Sequence, residues 1–328
     1  SFSTLLETLN ASKGARPRGN LLGYSFEIPR LTIAMTNITT YVSNGSPAEG
    51  EKPMTNLFVA DQEKCKQDGL CVAECPTGII EIKDNKSVPI PTKDADELCI
   101  HCGHCVAICP HGAMSHRSMT PEQCPPVRMN WLLNPEQVEH FLRSRRSIRT
   151  YKEEPVAREI LTKLIHIARF APSGHNLQPV RWSVIYESQE VRRLAGIVID
   201  WMRHLLDKGE PLAKALHMDR VVAAWESGVE RICRGAPHVI VAHAPKEERT
   251  APQACTIALA YLELAAPSFG LGACWAGYFN GAANFWPPMQ EALDLPQEHV
   301  SFGAMMVGYP KFKYQRLPLR NEPQIIWR

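Results

Sequence analysis

Apolar and polar positions follow two regimes along this chain. From Leu57 to about Arg128 the apolar residues come in short pieces broken by Cys, Pro and Gly, and Ile79-Ile80-Glu81-Ile82 reads as a brief strand. So small a core needs staples, and metal clusters would serve. From Asn134 the pattern turns helical. Asn134 is a candidate N-cap, Pro135 suits the first helical position, Gln137 completes a capping box, and Val138, Phe141 and Leu142 share one face. Another helix follows Pro155, with Ile160, Leu161, Leu164 and Ile167 at helical spacing, while 180–186 and 238–244 read as strands. Residues 251–269 are apolar almost all round, which predicts a buried central helix. Helix and strand signals mix without a regular βαβ repeat, so an α+β layered domain is expected rather than a doubly wound parallel sheet.

Residues 1–53 are rich in Ser, Thr, Asn and Gly, carry no chemical motif, and end in the loop-like Ser43-Asn44-Gly45-Ser46-Pro47 before Met54, a candidate natural start. They read as a poorly ordered extension, whether a leader, an appended segment or a partner-docking tail. The expected organisation is an extension over 1–53, a cysteine-rich module over 54–128 and a larger domain over 129–328. A length of 328 residues suits two units.

Composition narrows the function. With 45% apolar and 21% charged residues the chain is an ordinary globular protein, and a formal charge of +2 offers no basic stripe for nucleic acid. No run of about eighteen apolar residues or cleavable signal is present, so no membrane partner and a cytoplasmic location are expected. Eight of the eleven cysteines lie between Cys65 and Cys124 at short spacings, as metal ligands do.

Cys99-Ile-His-Cys102-Gly-His-Cys105-Val-Ala-Ile-Cys109-Pro110 is an unbroken Cys-x2-Cys-x2-Cys-x3-Cys-Pro run. Three thiolates two residues apart can wrap one cubane face while the fourth points away to a second cluster, and soft thiolates suit iron and sulfide. A four-cysteine run closed by Pro is poor spacing for a zinc knuckle. Cys65-Lys-Gln-Asp68-Gly-Leu-Cys71-Val-Ala-Glu-Cys75-Pro76 repeats the frame with Asp68 in place of the second cysteine. Residues 57–115 thus resemble bacterial two-cluster ferredoxins. Their crossed ligation implies one complete [4Fe–4S] cluster on Cys75, Cys99, Cys102 and Cys105. Cys65, Cys71 and Cys109 would hold the other, [4Fe–4S] or [3Fe–4S], with Asp68, a water or nothing at the fourth iron. Cys124 is a remote alternative ligand, more simply read as an ordinary thiol. Solvent exposure suffices to account for His101 and His104.

Further on stands Arg145-Arg146-Ser147-Ile148-Arg149, whose guanidinium forks and hydroxyl suit a phosphate monoester, although such a run is more often a solvated face. Ala171-Pro172-Ser173-Gly174-His175-Asn176-Leu177-Gln178-Pro179 is a turn-rich segment whose amides can read a flavin's carbonyls and nitrogens. In Gly270-Leu271-Gly272-Ala273-Cys274-Trp275-Ala276-Gly277-Tyr278, small residues let backbone N–H groups approach a planar ring. Val307-Gly308-Tyr309-Pro310 leads to Arg316-Leu317-Pro318.

The order and separation of these segments resemble the nitroreductase superfamily of FMN enzymes across 135–328. The resemblance implies an α+β fold, a mixed sheet flanked by helices, and a homodimer with FMN at the interface. Arg145, Ser147 and Arg149 match the phosphate run, and Arg316 the carboxyl-terminal phosphate contact. Pro172, Ser173, Asn176 and Gln178 match the loop that reaches the flavin from the neighbouring subunit. Gly272, Trp275, Ala276 and Gly277 match the loop beside the ring's reactive nitrogen edge. The mid-domain Asn and Lys ring contacts of some members have no counterpart, which leaves the donor open. No Gly-x-Gly-x-x-Gly opens a βαβ unit. Cys233, Cys255 and Cys274 read as buried small hydrophobes, and His175 as a turn residue rather than a proton donor.

The expected activity is electron transfer from the clusters to FMN and on to a small acceptor, a nitroaromatic, quinone, enone or halogenated compound. The donor would be a ferredoxin or NAD(P)H. Two alternatives stand beside it: a flavin reduced directly by NAD(P)H with the clusters as outlet, and an electron-transfer or redox-sensing protein without a substrate of its own.

Overall fold

The first described strand, β1 (Phe58–Ala60), closes the cysteine-rich module by pairing antiparallel with its last, β4 (Met114–His116), Phe58 opposite His116. Between them lie α1 (Leu70–Ala73), β2 (Ile80–Glu81), β3 (Ile90–Pro91), α2 (Ala95–Leu98) and α3 (His104–Ile108). The structure, a computed structural model, describes residues 56–84 and 87–328, so the extension expected over 1–53 lies outside the described residues. The strand expected at Ile79–Ile82 shortens to Ile80–Glu81, the two positions that Ile90–Pro91 can pair.

The two ligand runs fold alike. Cys65, Asp68, Cys71 and Cys75 recur 34 residues on as Cys99, Cys102, Cys105 and Cys109. The backbone repeats with them: Gln67 and His101 have φ of 57° and 51°, and Gly69 and Gly103 both have 73°. Each glycine precedes the short helix that carries the third cysteine, α1 or α3. Left-handed backbone is why glycine stands there, and at Gly103 a Cβ would also meet Met119 Sδ at 2.5 Å. The apolar core of this half is small, built on Leu57, Phe58, Ile79, Ile80, Val106 and Met114 with the cysteines packed against it. It is the staple-dependent core its length implies.

The larger half begins with α4 (Pro135–Ser144), where Asn134 Oδ1 accepts the Gln137 N–H at 2.9 Å and Gln137 Oε1 accepts the Asn134 N–H at 3.0 Å. The capping box is therefore complete, yet no residue of α4 is buried and Val138, Phe141 and Leu142 remain exposed. In α5 (Arg158–Ala168) the buried stripe is Leu161, Leu164 and Ala168. Ile167, expected on that face, is 41% exposed because Ala168 takes the inward position.

The sheet has the order β5–β6–β8–β7, with β5 (Arg181–Ile185), β6 (His238–Pro245), β7 (Gly272–Trp275) and β8 (His299–Gly308). All pairings among these described strands are antiparallel, where a mixed sheet was expected. Alternation along β6 and β8 builds two cores. Val239, Val241, Ala304 and Met306 face one layer, made by α6 (Ser188–Asp207), α7 (Pro211–Ala215), α8 (Met218–Glu226), α10 (Gly277–Phe285) and α11 (Pro287–Leu293). Ile240, Ala242, Met305 and Val307 face the other, made by α5 and α9 (Ala251–Ala265). The α+β layered architecture is thus as expected.

The expected buried central helix is α9, with two differences. It ends at Ala265 and tightens into a 3-10 turn over Ala266–Phe269, where Pro267 cannot continue the ladder. It also buries one side only, leaving Tyr261 39% exposed. The cysteine-rich and larger halves belong to one compact unit, Thr55–Arg328. No described helix is long and apolar enough to cross a membrane.

Candidate functional site

The thiols fall into the two crossed sets. Around Cys105 burial pushes the thiol up to about 11, and the charges of Cys102, Cys99 and Cys75 push the same way. Burial likewise raises the Cys99 thiol, with Cys102 and Cys75 adding to it. In the other set burial raises the Cys71 thiol, and Cys109 and Cys65 are the sulfurs that add to it. Each group draws its members from both runs, and crowded thiols of raised pKa are what a metal cluster relieves by replacing the protons. Cys75 goes the other way. Burial pushes it up, but the N–H groups of Ile79, Thr77 and Gly78 and the Thr77 hydroxyl outweigh burial and lower it. One cavity is lined by Cys75, Cys99, Cys102 and Cys105 with Phe58, Ile79, Ile80 and His116. Four soft donors around an apolar hollow fit a cubane.

The other set has three thiols and Asp68. Asp68 Oδ1 accepts the Leu70 N–H at 3.2 Å, and Oδ2 lies 3.6 Å from His111 Nε2. The Ala113 N–H donates to Cys109 Sγ at 3.3 Å. Cys124 packs at the edge of the module's core.

In the larger half the basic run lies along the sheet edge, because the Ile148 N–H donates to Ala273 O at 3.0 Å. That contact joins two segments the sequence singled out separately, 145–149 and 272–277. It also explains Gly272, since a Cβ there would collide with the Ile148 side chain. Arg145 Nη1 donates to Glu263 Oε1 at 2.7 Å and to Ser147 Oγ at 3.3 Å, so this guanidinium is already paired with a buried carboxylate. Arg149 is exposed and donates to the Ser147 carbonyl two residues back in the chain, at 3.5 Å. Burial raises the Cys274 thiol while the Arg149 and Arg234 guanidinium groups pull it down. The same two guanidinium groups oppose the burial that drives the Tyr151 hydroxyl far up. Two cations therefore bear on one spot beside Ser147, a setting that suits a phosphate.

Trp275 closes β7 at 38% exposure, Ala276 is buried, and Gly277 begins α10. The segment expected as a loop beside the ring is thus a strand end running into a helix. Arg316 is exposed in the irregular segment after β8, without a bond to Arg145, Ser147 or Arg149. Cys233, Cys255 and Cys274 are buried.

The segment 172–178 holds three non-glycine left-handed residues, His175, Asn176 and Gln178, with φ of 50°, 53° and 47°. Ser173 Oγ accepts the Gln178 N–H at 2.9 Å and Asn176 Oδ1 accepts Gln178 Nε2 at 3.2 Å. The Asn176 amide then donates to Ile100 O at 3.3 Å and His101 O at 3.0 Å. These carbonyls lie between the candidate ligands Cys99 and Cys102, so Asn176 ties together the segments expected at the two redox centres.

Two residues escaped the sequence reading. His116 is 2% exposed with Nε2 3.5 Å from Cys99 Sγ, and its pKa falls to about 4 through burial and then the charges of His101 and Arg117. It lies beyond the last Cys-Pro, outside the ligand pattern. Arg234 is exposed with φ of 58°, an uncommon conformation for its type. A single Arg beside a buried cysteine gave no sequence signal.

Residues 142–309 match the nitroreductase family, and residues 63–114 match the 4Fe-4S dicluster domain. An NADH dehydrogenase of Thermus thermophilus is 30% identical over 197 residues, covering 56% of this chain and 92% of that protein. A Cr(VI) reductase of a Pseudomonas strain is 25% identical over 187 residues, covering 56% of this chain and 71% of the relative. In fold, the larger half is similar to a Bacteroides fragilis nitroreductase crystallised with FMN, with a TM-score of 0.50, 18% identity, and 60% of this chain and 100% of that one covered. With the family matched over half its length and a dicluster ferredoxin domain ahead of it, the chain belongs to the nitroreductase family of oxidoreductases.

Proposed function

We propose that this oxidoreductase passes electrons from two iron–sulfur clusters to FMN and then to a small organic acceptor. When bound, FMN would supply the one-electron to two-electron conversion that cluster chemistry lacks. The observation that carries the reading is the pair of hydrogen bonds from Asn176 to Ile100 O and His101 O, which joins the segment matched to the flavin loop with the ligand loop of the complete cysteine set. Cys75, Cys99, Cys102 and Cys105 would hold a [4Fe–4S] cluster on the flavin side. Cys65, Cys71 and Cys109 would hold the remote one, and the hydrogen bond that already engages Asp68 Oδ1 supports a [3Fe–4S] form there over a [4Fe–4S] one.

On the flavin side Arg149 and Ser147, with Arg234, would anchor the phosphate, and Arg145 would orient the run through Glu263. Gly272, Trp275, Ala276 and Gly277 would flank the ring. Pro172, Ser173 and Gln178 would shape the loop that reaches it, and Arg316 would arrive from the irregular carboxyl-terminal segment. Exposed Trp131, Leu132, Phe141, Leu142, Ile326 and Trp327 favour a homodimer, because apolar residues on α4, on the turn before it and on the terminal segment need a partner to cover them. Nitroaromatics, quinones, enones and halogenated compounds fit such a site, with a ferredoxin as donor. The domain limits 54–128 and 129–328 accompany this reading.

Direct reduction by NAD(P)H is the second reading, favoured by the name of the Thermus relative. Anaerobic stopped-flow separates the two. Under the first, a low-potential one-electron reductant bleaches the clusters before the flavin, and NADH or NADPH reduces neither at that rate. Flavin bleaching first with NADH or NADPH would overturn it in favour of the second.

A further inference from the structure

We propose that His116 is a positioning residue for electron transfer: its Nε2–H donates a hydrogen bond to the Cys99 sulfur and raises the reduction potential of the cluster on the flavin side. The inference rests on the reading above that Cys75, Cys99, Cys102 and Cys105 hold that cluster.

The hydrogen-bond network fixes the tautomer. The Ser118 backbone N–H points at His116 Nδ1 at 3.0 Å, and Ser118 Oγ lies 2.8 Å from the same atom. A backbone N–H can only donate, so Nδ1 carries a lone pair and the ring is neutral. Its single ring proton is then on Nε2, which lies 3.5 Å from Cys99 Sγ. His101 closes the other side, its ring edge-on to that of His116 with centroids 5.1 Å apart at 79°. The donor cannot turn away: His116 ends β4, is 2% exposed, and is held at Nδ1.

A hydrogen bond to a ligating sulfur stabilises the additional negative charge of the reduced cluster, which raises the potential. Local contacts of this kind serve both clusters, through the Thr77 hydroxyl 3.7 Å from Cys75 Sγ and the Ala113 N–H on Cys109 Sγ. The imidazole serves one only. Under the 34-residue repeat that relates Cys65 to Cys99, the counterpart of His116 is Ile82, which has no side-chain donor. The two halves therefore differ at Asp68 and at His116, and the second difference favours electrons on the side that Asn176 ties to the flavin loop.

The test is an EPR-monitored redox titration of the full-length holoprotein, prepared anaerobically, as wild type, His116→Phe and His116→Gln. The Phe variant keeps the buried volume without the donor. At a fixed poise the reduced-to-oxidised ratio of one cluster is expected to fall about tenfold, roughly 59 mV for a one-electron couple. The other cluster, iron content and FMN content stay unchanged, and Gln, which keeps an N–H donor, recovers part of the shift. Full iron with an unchanged potential in the Phe variant overturns the inference alone, and a preparation without iron overturns the cluster reading with it. Should the Phe variant lose its cluster, the wild type labelled with 15N-histidine decides. A 15N coupling to the reduced cluster in pulsed EPR that disappears in His116→Gln supports the bond, and its absence from the wild type overturns it.

Discussion

Replacing Asn176 by Gly isolates the contact on which the proposed electron path depends. Asn176 has φ of 53°, a conformation glycine adopts at no steric cost, so the substitution removes the amide without straining the turn. It deletes the bonds to Ile100 O and His101 O and frees Gln178 Nε2. A neutral hydrogen bond contributes about 1 kcal/mol net, and less where water competes, as it does at the His101 carbonyl. The two bonds to the ligand loop then sum to roughly 1–2 kcal/mol, a factor of about 5–30 in the equilibrium between docked and undocked segments. The first readout is hydrogen exchange: amides of 99–105 and 172–178 are expected to exchange faster by that factor, with iron and FMN contents at wild-type levels. The second is stopped-flow, in which reduced clusters should pass electrons to flavin more slowly while flavin reoxidation by acceptor is unchanged. If exchange accelerates and the transfer rate does not fall, the contact is structural only. If neither changes, Asn176 does not couple the two halves.

Arg149→Ala should leave the fold intact and weaken FMN retention, because an exposed guanidinium beside Ser147 and Arg234 is removed; unchanged flavin per chain after desalting would reject the phosphate assignment. Asp68→Cys restores the fourth thiolate and should raise iron from about seven to about eight atoms per chain with loss of the oxidised [3Fe–4S] EPR signal; equal iron in both proteins would show that the wild-type site is already filled. Phe141→Asp places a charge on the uncovered face of α4 and should convert a dimer to monomer in sedimentation, whereas a monomeric wild type would remove the dimer from the account. Acid should destabilise the protein through His243. Burial first, then the charges of His299 and Arg181, lowers its pKa to about 4 from an ordinary 6.5, so between these values the unfolded chain binds the extra proton. Its contribution is complete above pH 6.5 and falls by up to roughly 3 kcal/mol as pH drops to 4. His243→Gln should flatten that part of the melting-temperature profile, and an identical slope would place the acid sensitivity elsewhere.

The parts of the structure that could be read from the chain are those whose cause is local. The capping box at Asn134 needs three neighbouring residues and is present, and the ligand runs need only the spacing of Cys65 to Cys109. What failed depended on distant partners. Ile167 lost its inward position to Ala168, and α9 exposed a side that apolar composition alone would bury, because the surface facing it is supplied by no described part of this chain. The 20-residue α6, which buries a stripe through Val191, Leu194, Val198 and Met202, was not among the elements expected from the sequence. At the site, Gly272 and Ile148 gave separate signals, and only folding shows that one is small because the other lies on it. His116 gave none, since a donor to a ligand sulfur obeys no spacing rule relative to the ligands.

The segment 172–178 links the ferredoxin half to the proposed mechanism. Non-glycine residues held in left-handed backbone cost of order 1–3 kcal/mol each and persist only where surrounding contacts determine them. His175, Asn176 and Gln178 place three such residues within four positions. Within the segment Ser173 Oγ accepts the Gln178 N–H, Asn176 Oδ1 accepts Gln178 Nε2, and the N–H groups of Asn176 and Leu177 donate to Ser173 O and Gly174 O. Outside it, Arg181 donates to Gln178 O and the Asn176 amide donates to the carbonyls of Ile100 and His101, which lie between Cys99 and Cys102. His101 is itself left-handed, at the same point of the repeat as Gln67, so its carbonyl direction belongs to the turn that the two cysteine runs share. Under the proposed function, the segment matched to the flavin is thus tied in part to the loop that would wrap a cluster. Under that reading cluster loss should disturb the flavin side before any electron moves, through the two hydrogen bonds that Asn176 donates.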